Sequence, residues 1–189
     1  ITLLNSDFEV VQVIELCKSN IRCISVSPCG KFVVVGASDH QIHFLEYVGL
    51  LELKQIIPAH KNSVFSVIYK EGYTLLSGGR DAILNEWIWN HEAFLESQKW
   101  QLNQTIPAHN YTINSIQINP NETLFATSSR DKTIKIWDYN SNQLLKVIDP
   151  IKYPNGHTHS VNTILWLDEH TLLSTGDDKK IISWKIETL

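Results

Sequence analysis

Hydrophobic positions in this chain come in short runs, not in long stripes. Ile21, Ile24 and Val26 form the first group; Val64, Val67 and Tyr69, then Ile113, Ile116 and Ile118, then Val161, Ile164 and Trp166 form three more. Runs this short, rich in β-branched and aromatic residues, predict strands. Each is followed by a cluster of turn formers: SPCGK at 27–31, KEGY at 70–73, NPNET at 119–123 and LDEH at 167–170. Second apolar runs come next, KFVVVGA, TLLSGG, LFATSS and TLLSTG. A tight turn carrying Asp39, Asp81, Asp131 or Asp178 then leads into a third strand. ELKQII (52–57), QLNQTI (101–106) and QLLKVI (143–148) read as fourth strands. Helical periodicity is absent, apart from HEAFLES (91–97), which predicts a helical turn within a long loop.

The groups are true repeats. SDHQIHFLE, RDAILNEWI, RDKTIKIWD and DDKKIISWK share an Asp, an aliphatic residue three later and a large apolar residue six later. The Asp recurs about every 46 residues, and insertions fall between units while internal spacing holds. In the last three units a His (His60, His109 or His157) precedes the Asp by 21 or 22 residues; Cys17 takes its place in the first. The units span roughly 17–57, 60–106, 109–149 and 157–186, with 1–16 supplying one or two strands of a preceding or closing blade. Four short strands per unit make one blade of a β-propeller. The fold class is therefore all-β, with four-stranded antiparallel blades, about four of them present.

These motifs resemble the WD-repeat β-propeller family over nearly the whole chain, from about Val10 to Ile186. The third repeat is the nearest match, with His109, Ser129, Asp131 and the Trp137–Asp138 pair. The resemblance implies a buried hydrogen-bond chain of His, hydroxyl, Asp and Trp in each blade. His60, Asp81 and Trp87 carry it in the second repeat, where Gly79 stands at the hydroxyl position. His157, Asp178 and Trp184 carry it in the fourth, with Gly176 there. The first repeat keeps only Asp39, with Leu45 in place of Trp, so no complete chain is expected in it. Family rings most often have about seven blades, so these blades are expected to be part of a larger ring, completed by further blades of the same chain or by self-association. The absence of Met, even at position 1, agrees with a longer protein.

Three His/Asp pairs with a serine invite comparison with a hydrolytic triad. A set that recurs once per repeat is a structural device, so no catalytic residue and no enzyme activity are assigned. Function is instead expected on one rim, where the resemblance places the residues flanking the first-strand aliphatic and the residue before the turn Asp. Arg22, Phe65, Arg80, Asn114, Arg130, Asn162 and Asp177 are the candidates. Arginine grips carboxylate or phosphate in a bidentate fork, and Arg and aromatic residues dominate interface hot spots. The expected partner is a protein or peptide. The second reading is a nucleic-acid- or nucleotide-binding propeller acting through Arg22, Arg80 and Arg130, or a propeller domain of an enzyme.

Composition adds exclusions. The 189 residues are 43% hydrophobic and 19% charged, ordinary globular values. A net charge of -4 gives no global attraction to nucleic acid or an anionic membrane. Apolar runs are all far shorter than the roughly 20 residues a spanning helix needs. Cys17, Cys23 and Cys29 form no Cys-x-x-Cys pair, which suits reduced thiols in the cytoplasm or nucleus. His40 with His43, and His157 with His159, lack a third ligand at matching spacing, so neither metal nor other cofactor is expected.

Overall fold

The computed structural model describes residues 1–70, 73–93 and 99–186. Of the predicted KEGY turn, 71–72 lie outside the described residues, as do 94–97 of the predicted helical turn. Every regular element among the described residues is a strand. A two-stranded sheet pairs β1 (Thr2–Leu4) with β2 (Val10–Val13). Three antiparallel four-stranded sheets follow, each in simple up-and-down order. The first holds β3 (Ile21–Val26), β4 (Phe32–Ala37), β5 (Gln41–Tyr47) and β6 (Leu51–Pro58). The second holds β7 (Val64–Tyr69), β8 (Thr74–Gly79), β9 (Ile83–Trp89) and β10 (Trp100–Pro107). The third holds β11 (Ile113–Ile118), β12 (Leu124–Ser129), β13 (Ile134–Asp138) and β14 (Leu144–Ile148). The last sheet has three strands, β15 (Val161–Trp166), β16 (Thr171–Gly176) and β17 (Ile181–Lys185).

Each sheet is built by the same local chemistry. The turn between the second and third strands places the residue after the Asp in the left-handed region: His40 at φ 72°, Ala82 at 67°, Lys132 at 74° and Lys179 at 62°. Such a conformation costs a non-glycine residue about 1 kcal/mol. The turn Asp offsets part of it: Asp39, Asp81 and Asp131 each accept the N–H two residues on, at 3.1, 3.2 and 3.0 Å. The Asp thus serves the turn as well as the strand behind it.

The strands divide into two compact units, Ile1–Ser77 with Asn85–Thr105, and Gly78–Leu84 with Ile106–Leu189. In the first unit Trp100 is the hub of the core. It stacks on Phe44 at 4.9 Å and takes edge contacts from Trp89 at 5.6 Å and Tyr69 at 6.0 Å, with Val34, Ile42, Val64 and Leu75 packed around the cluster. Ile1, Ile14 and Leu16 pack against Val33, Val35, Leu45 and Leu51, and the Gln12 amide bonds both backbone groups of Leu51. In the second unit Ala126, Ile134, Ile136, Val161, Ile164 and Leu172 form the core under Trp166 and Trp184.

First strands are not buried alike. Val64, Ile113 and Val161 are wholly buried, whereas Ile21, Ile24 and Val26 of β3 are 46%, 58% and 55% exposed. The same sequence pattern thus yields a covered strand in three repeats and an uncovered one in the first.

Candidate functional site

In the third repeat His109 sits on the loop into β11, Thr127 in the middle of β12, and Trp137 on β13. The hydrogen bonds between them have one consistent direction. Trp137 Nε1–H donates to Thr127 Oγ1 at 2.9 Å. His109 Nε2 lies 2.8 Å from the same oxygen, and His109 Nδ1 lies 2.9 Å from Asp131 Oδ2. An indole can only donate and a carboxylate can only accept. The Thr127 O–H therefore donates to Nε2, and a neutral His109 donates Nδ1–H to Asp131. Asp131 also accepts the Asn110 N–H and the Thr133 N–H and O–H.

The titration behaviour follows from that pattern. Burial holds the His109 imidazole below its ordinary value, against the pull of Asp131, so the ring stays neutral. Burial alone would raise Asp131. The His109 contact and the donors from Thr133 and Asn110 outweigh it and hold the carboxyl well below the usual carboxylate range.

The fourth repeat repeats the arrangement: Trp184 Nε1–H to Ser174 Oγ at 2.8 Å, Ser174 to His157 Nε2 at 2.8 Å, and His157 Nδ1 to Asp178 at 2.9 Å. Burial opposes ionisation of Asp178, but the Thr158 N–H and His157 bring its carboxyl down to about 2. In the second repeat Trp87 and His60 both meet Ser77 Oγ at 2.9 Å.

One assignment needs correction. The hydroxyl that closes the chain in the third repeat is Thr127, not Ser129. Ser129 Oγ donates to Tyr111 O at 3.2 Å and accepts the Asp131 N–H at 3.0 Å, so it buttresses the turn. For the same reason Gly79 and Gly176 do not mark a missing hydroxyl, because Ser77 and Ser174 supply it. The first repeat has Val35 and Leu45 at the hydroxyl and indole positions, and Asp39 pairs with His43 Nε2 at 3.1 Å. These hydroxyls are also sealed: Ser77 and Thr127 are 0% exposed and Ser174 1%. No substrate carbonyl can reach them, which removes the triad geometry in these repeats.

The rim candidates divide into tied and untied groups. In the first unit Arg22 Nε donates to Ser38 Oγ at 2.7 Å and its guanidinium lies 5.3 Å from the centroid of the Phe65 ring. In the second unit Asn114 Nδ2 donates to Ser160 Oγ and Val161 O, Ser160 donates to Asn162, and Asn162 donates to Asp177. Those side chains satisfy one another. The side chains of Arg80 and Arg130, both exposed and both directly before the turn Asp, have no hydrogen-bond or ion partner among the described residues.

A cavity of about 340 Å³ in the first unit was not visible in the repeat pattern. Phe32, Phe44, Tyr69, Trp89 and Trp100 line it, with Glu46 and Lys54, which are ion-paired at 3.2 Å. Trp89 and Trp100 belong to the apolar core of this unit and leave this space beside them.

Comparison with known proteins agrees with the repeat geometry. The family model described as WD domain, G-beta repeat matches residues 8–44, 100–138 and 148–185. It passes over the span holding His60, Ser77 and Trp87, where the hydrogen bonds are nonetheless of the same kind. The chain is 28% identical over 170 residues to a 66 kDa stress protein of Physarum polycephalum, covering 87% of this chain and 26% of that protein. It is 25% identical over 173 residues to Actin-interacting protein 1 of Caenorhabditis elegans, covering 88% and 26%. It is also 25% identical over 190 residues to the Ribosome biogenesis protein WDR12 homolog of Nematostella vectensis, covering 87% and 44%. The chain thus spans between a quarter and a half of the length of these relatives.

Proposed function

The chain belongs to the WD40-repeat family, and from that premise we propose that it is a non-catalytic module that binds a protein or peptide partner through rim side chains. WD40 repeats generally mediate protein–protein interaction, and the names of two relatives, an actin-interacting protein and a ribosome biogenesis protein, fit that role. The observation that carries the proposal is the untied state of Arg80 and Arg130. A solvated guanidinium without an internal acceptor keeps its bidentate fork for an external carboxylate or phosphate. Arg22 held over Phe65 offers a flat cationic and aromatic surface of the sort that interfaces favour. The buried chains behind the rim fix the strand ends, so little ordering remains to be done on binding.

The exposed apolar face of β3 supports a second element of the reading: a further blade covers Ile21, Ile24 and Val26, as equivalent residues are covered in the other repeats. We place the module in the cytoplasm or nucleus, where its three free cysteines stay reduced.

The test combines Phe65→Ala, Arg80→Ala and Arg130→Ala. None of the three side chains belongs to the buried chains. Arg80 and Arg130 are exposed, and such surface changes usually shift stability by about 0.5 kcal/mol or less. Phe65 is half-buried, so an unfolding curve of the triple variant confirms that it stays folded. Affinity capture from the source cell with mass spectrometry is expected to show at least one protein retained by the original chain and lost by the triple variant. An identical set of captured proteins would contradict the proposal. So would a nucleic-acid ligand whose affinity falls steeply with salt.

A further inference from the structure

The first repeat departs from the other three at one place, and the departure assembles a different chemistry. Cys17, on the loop into β3, stands where the others have His. Asp39 lies in the turn before β5, and His43 projects from β5 itself. Their donor atoms, a thiol sulfur, a carboxylate oxygen and an imidazole nitrogen, all lie within 4.8 Å of one another. The sequence singled out His43 but offered no third ligand at metal spacing; the fold brings in Cys17 and Asp39 from 26 and four residues away.

The hydrogen bonds of this cluster differ from those of the third and fourth repeats: the Cys17 thiol donates to Ser19 O at 3.4 Å, and Asp39 accepts the Gln41 N–H as well as facing His43. In the third and fourth repeats one imidazole satisfies both nitrogens, one on Asp and one on a hydroxyl. Here Val35 and Leu45 replace the hydroxyl and the indole. His43 is 1% exposed, its Nε2 faces Asp39, and its Nδ1 has no partner. A second bond present in the other repeats is also missing. Asn85, Lys135 and Lys180 each donate to the carbonyl just before the repeat His, at Ala59, Ala108 and Gly156. His43 stands in register with Asn85 and Lys135 but turns to Asp39 instead.

We propose that Cys17, Asp39 and His43 bind a zinc-class divalent transition ion. Sulfur, nitrogen and oxygen donors in one set suit borderline metals such as Zn²⁺ and Co²⁺, and exclude the all-oxygen preference of Mg²⁺ and Ca²⁺. Tetrahedral zinc with bonds of about 2.0–2.3 Å needs donors a little under 4 Å apart, so the three groups close in by about 1 Å or less. His43 is held in the middle of a four-stranded sheet, paired with Val35 on one side and Ile56 on the other. Cys17 and Asp39, half-buried, are the groups that move. Three protein ligands leave the fourth position to water. Binding releases the thiol proton to solvent and joins the loop before β3 to the β4–β5 turn, the work that the His–Asp contact does in the third and fourth repeats.

The test is titration of the metal-free whole chain with Co²⁺ and with Zn²⁺. One equivalent of Co²⁺ is expected to bind, with a thiolate-to-cobalt charge-transfer band that Zn²⁺ displaces. Cys17→Ser, at a half-exposed position, is expected to fold and to lose the band. His43→Gln and Asp39→Asn are each expected to weaken binding by about 100-fold or more, since even outer partners of ligands are worth about 10- to 100-fold. Cys29→Ser, at an exposed thiol outside the cluster, is expected to bind as the original chain does. Zn²⁺ is further expected to raise the unfolding temperature of the original chain and not of Cys17→Ser. Absence of the band at one equivalent overturns the proposal, as does a band that persists in Cys17→Ser. A band kept at full affinity in Asp39→Asn, whose side chain is the more tolerant to alter, removes the carboxylate from the ligand set and overturns the three-ligand site equally.

Discussion

Thr127→Val is expected to destabilise the second unit by about 2–4 kcal/mol, although valine has nearly the shape of threonine. The loss comes from polar groups left behind. Without the hydroxyl, the Trp137 Nε1–H has no acceptor and His109 Nε2 has no donor, and both lie where water does not reach. Each buried group left unsatisfied costs about 1–3 kcal/mol. Urea unfolding followed by tryptophan fluorescence measures the effect. Ser129→Ala, which removes the hydroxyl first associated with the chain, is expected to cost only about 1–2 kcal/mol, because Ser129 serves the turn and not the ring. If Ser129→Ala were the more damaging of the two, the hydrogen-bond assignment would be wrong.

Phe125→Ala is expected to be the most damaging single change, at about 3–5 kcal/mol, the usual range for truncating a buried aromatic. Phe125 is 0% exposed and its ring is stacked parallel to Trp137 at 5.9 Å. Domains of this size are stable by about 5–15 kcal/mol, so the loss is a large share of the whole. The stack also holds the indole in line with Thr127. The double variant with Thr127→Val should therefore cost less than the sum of the two single changes, since a loosened Trp137 has already lost part of its bond. Strict additivity in the unfolding midpoints would show that ring stacking and hydrogen bonding act independently.

The strands, turns and repeat spacing were legible because burial acts on every strand and writes itself into the apolar pattern. His109, Asp131 and Trp137 were legible through recurrence at fixed distances. The hydroxyl was not, for a geometric reason. Positions two and four residues before the turn Asp lie on the same face of the second strand, so alternation cannot separate Ser129 from Thr127. Recurrence could have: Ser77, Thr127 and Ser174 all stand four before the Asp, whereas Gly79, Ser129 and Gly176 stand two before it. The rim was legible as register but not as chemistry. Nothing in the spacing says that Asn114, Asn162 and Asp177 satisfy a shared network while Arg80 and Arg130 do not. The Cys17, Asp39 and His43 cluster was hidden for another reason: Cys17 and Asp39 stand at the recurring His and Asp positions, but His43 has no histidine counterpart in the other repeats, where Asn85, Lys135 and Ile182 stand.

The claim on which the rest depends is that the repeated His, hydroxyl, Asp and Trp set is a buried strut and not reactive machinery. It has a pH signature. Because burial keeps the folded His109 below its unfolded value near 6.5, the unfolded chain takes up a proton first, and stability falls as pH drops below about 6.5. Asp131, held low when folded, adds stability above its unfolded value near 3.8 and loses it as pH falls further. The most direct measurement is an NMR titration of the His109 ring nitrogens in the folded chain. The account predicts a neutral ring with its proton on Nδ1, still unprotonated below pH 6.5 and slow to exchange with solvent. A ring that titrates at or above 6.5, or that carries its proton on Nε2, would contradict it.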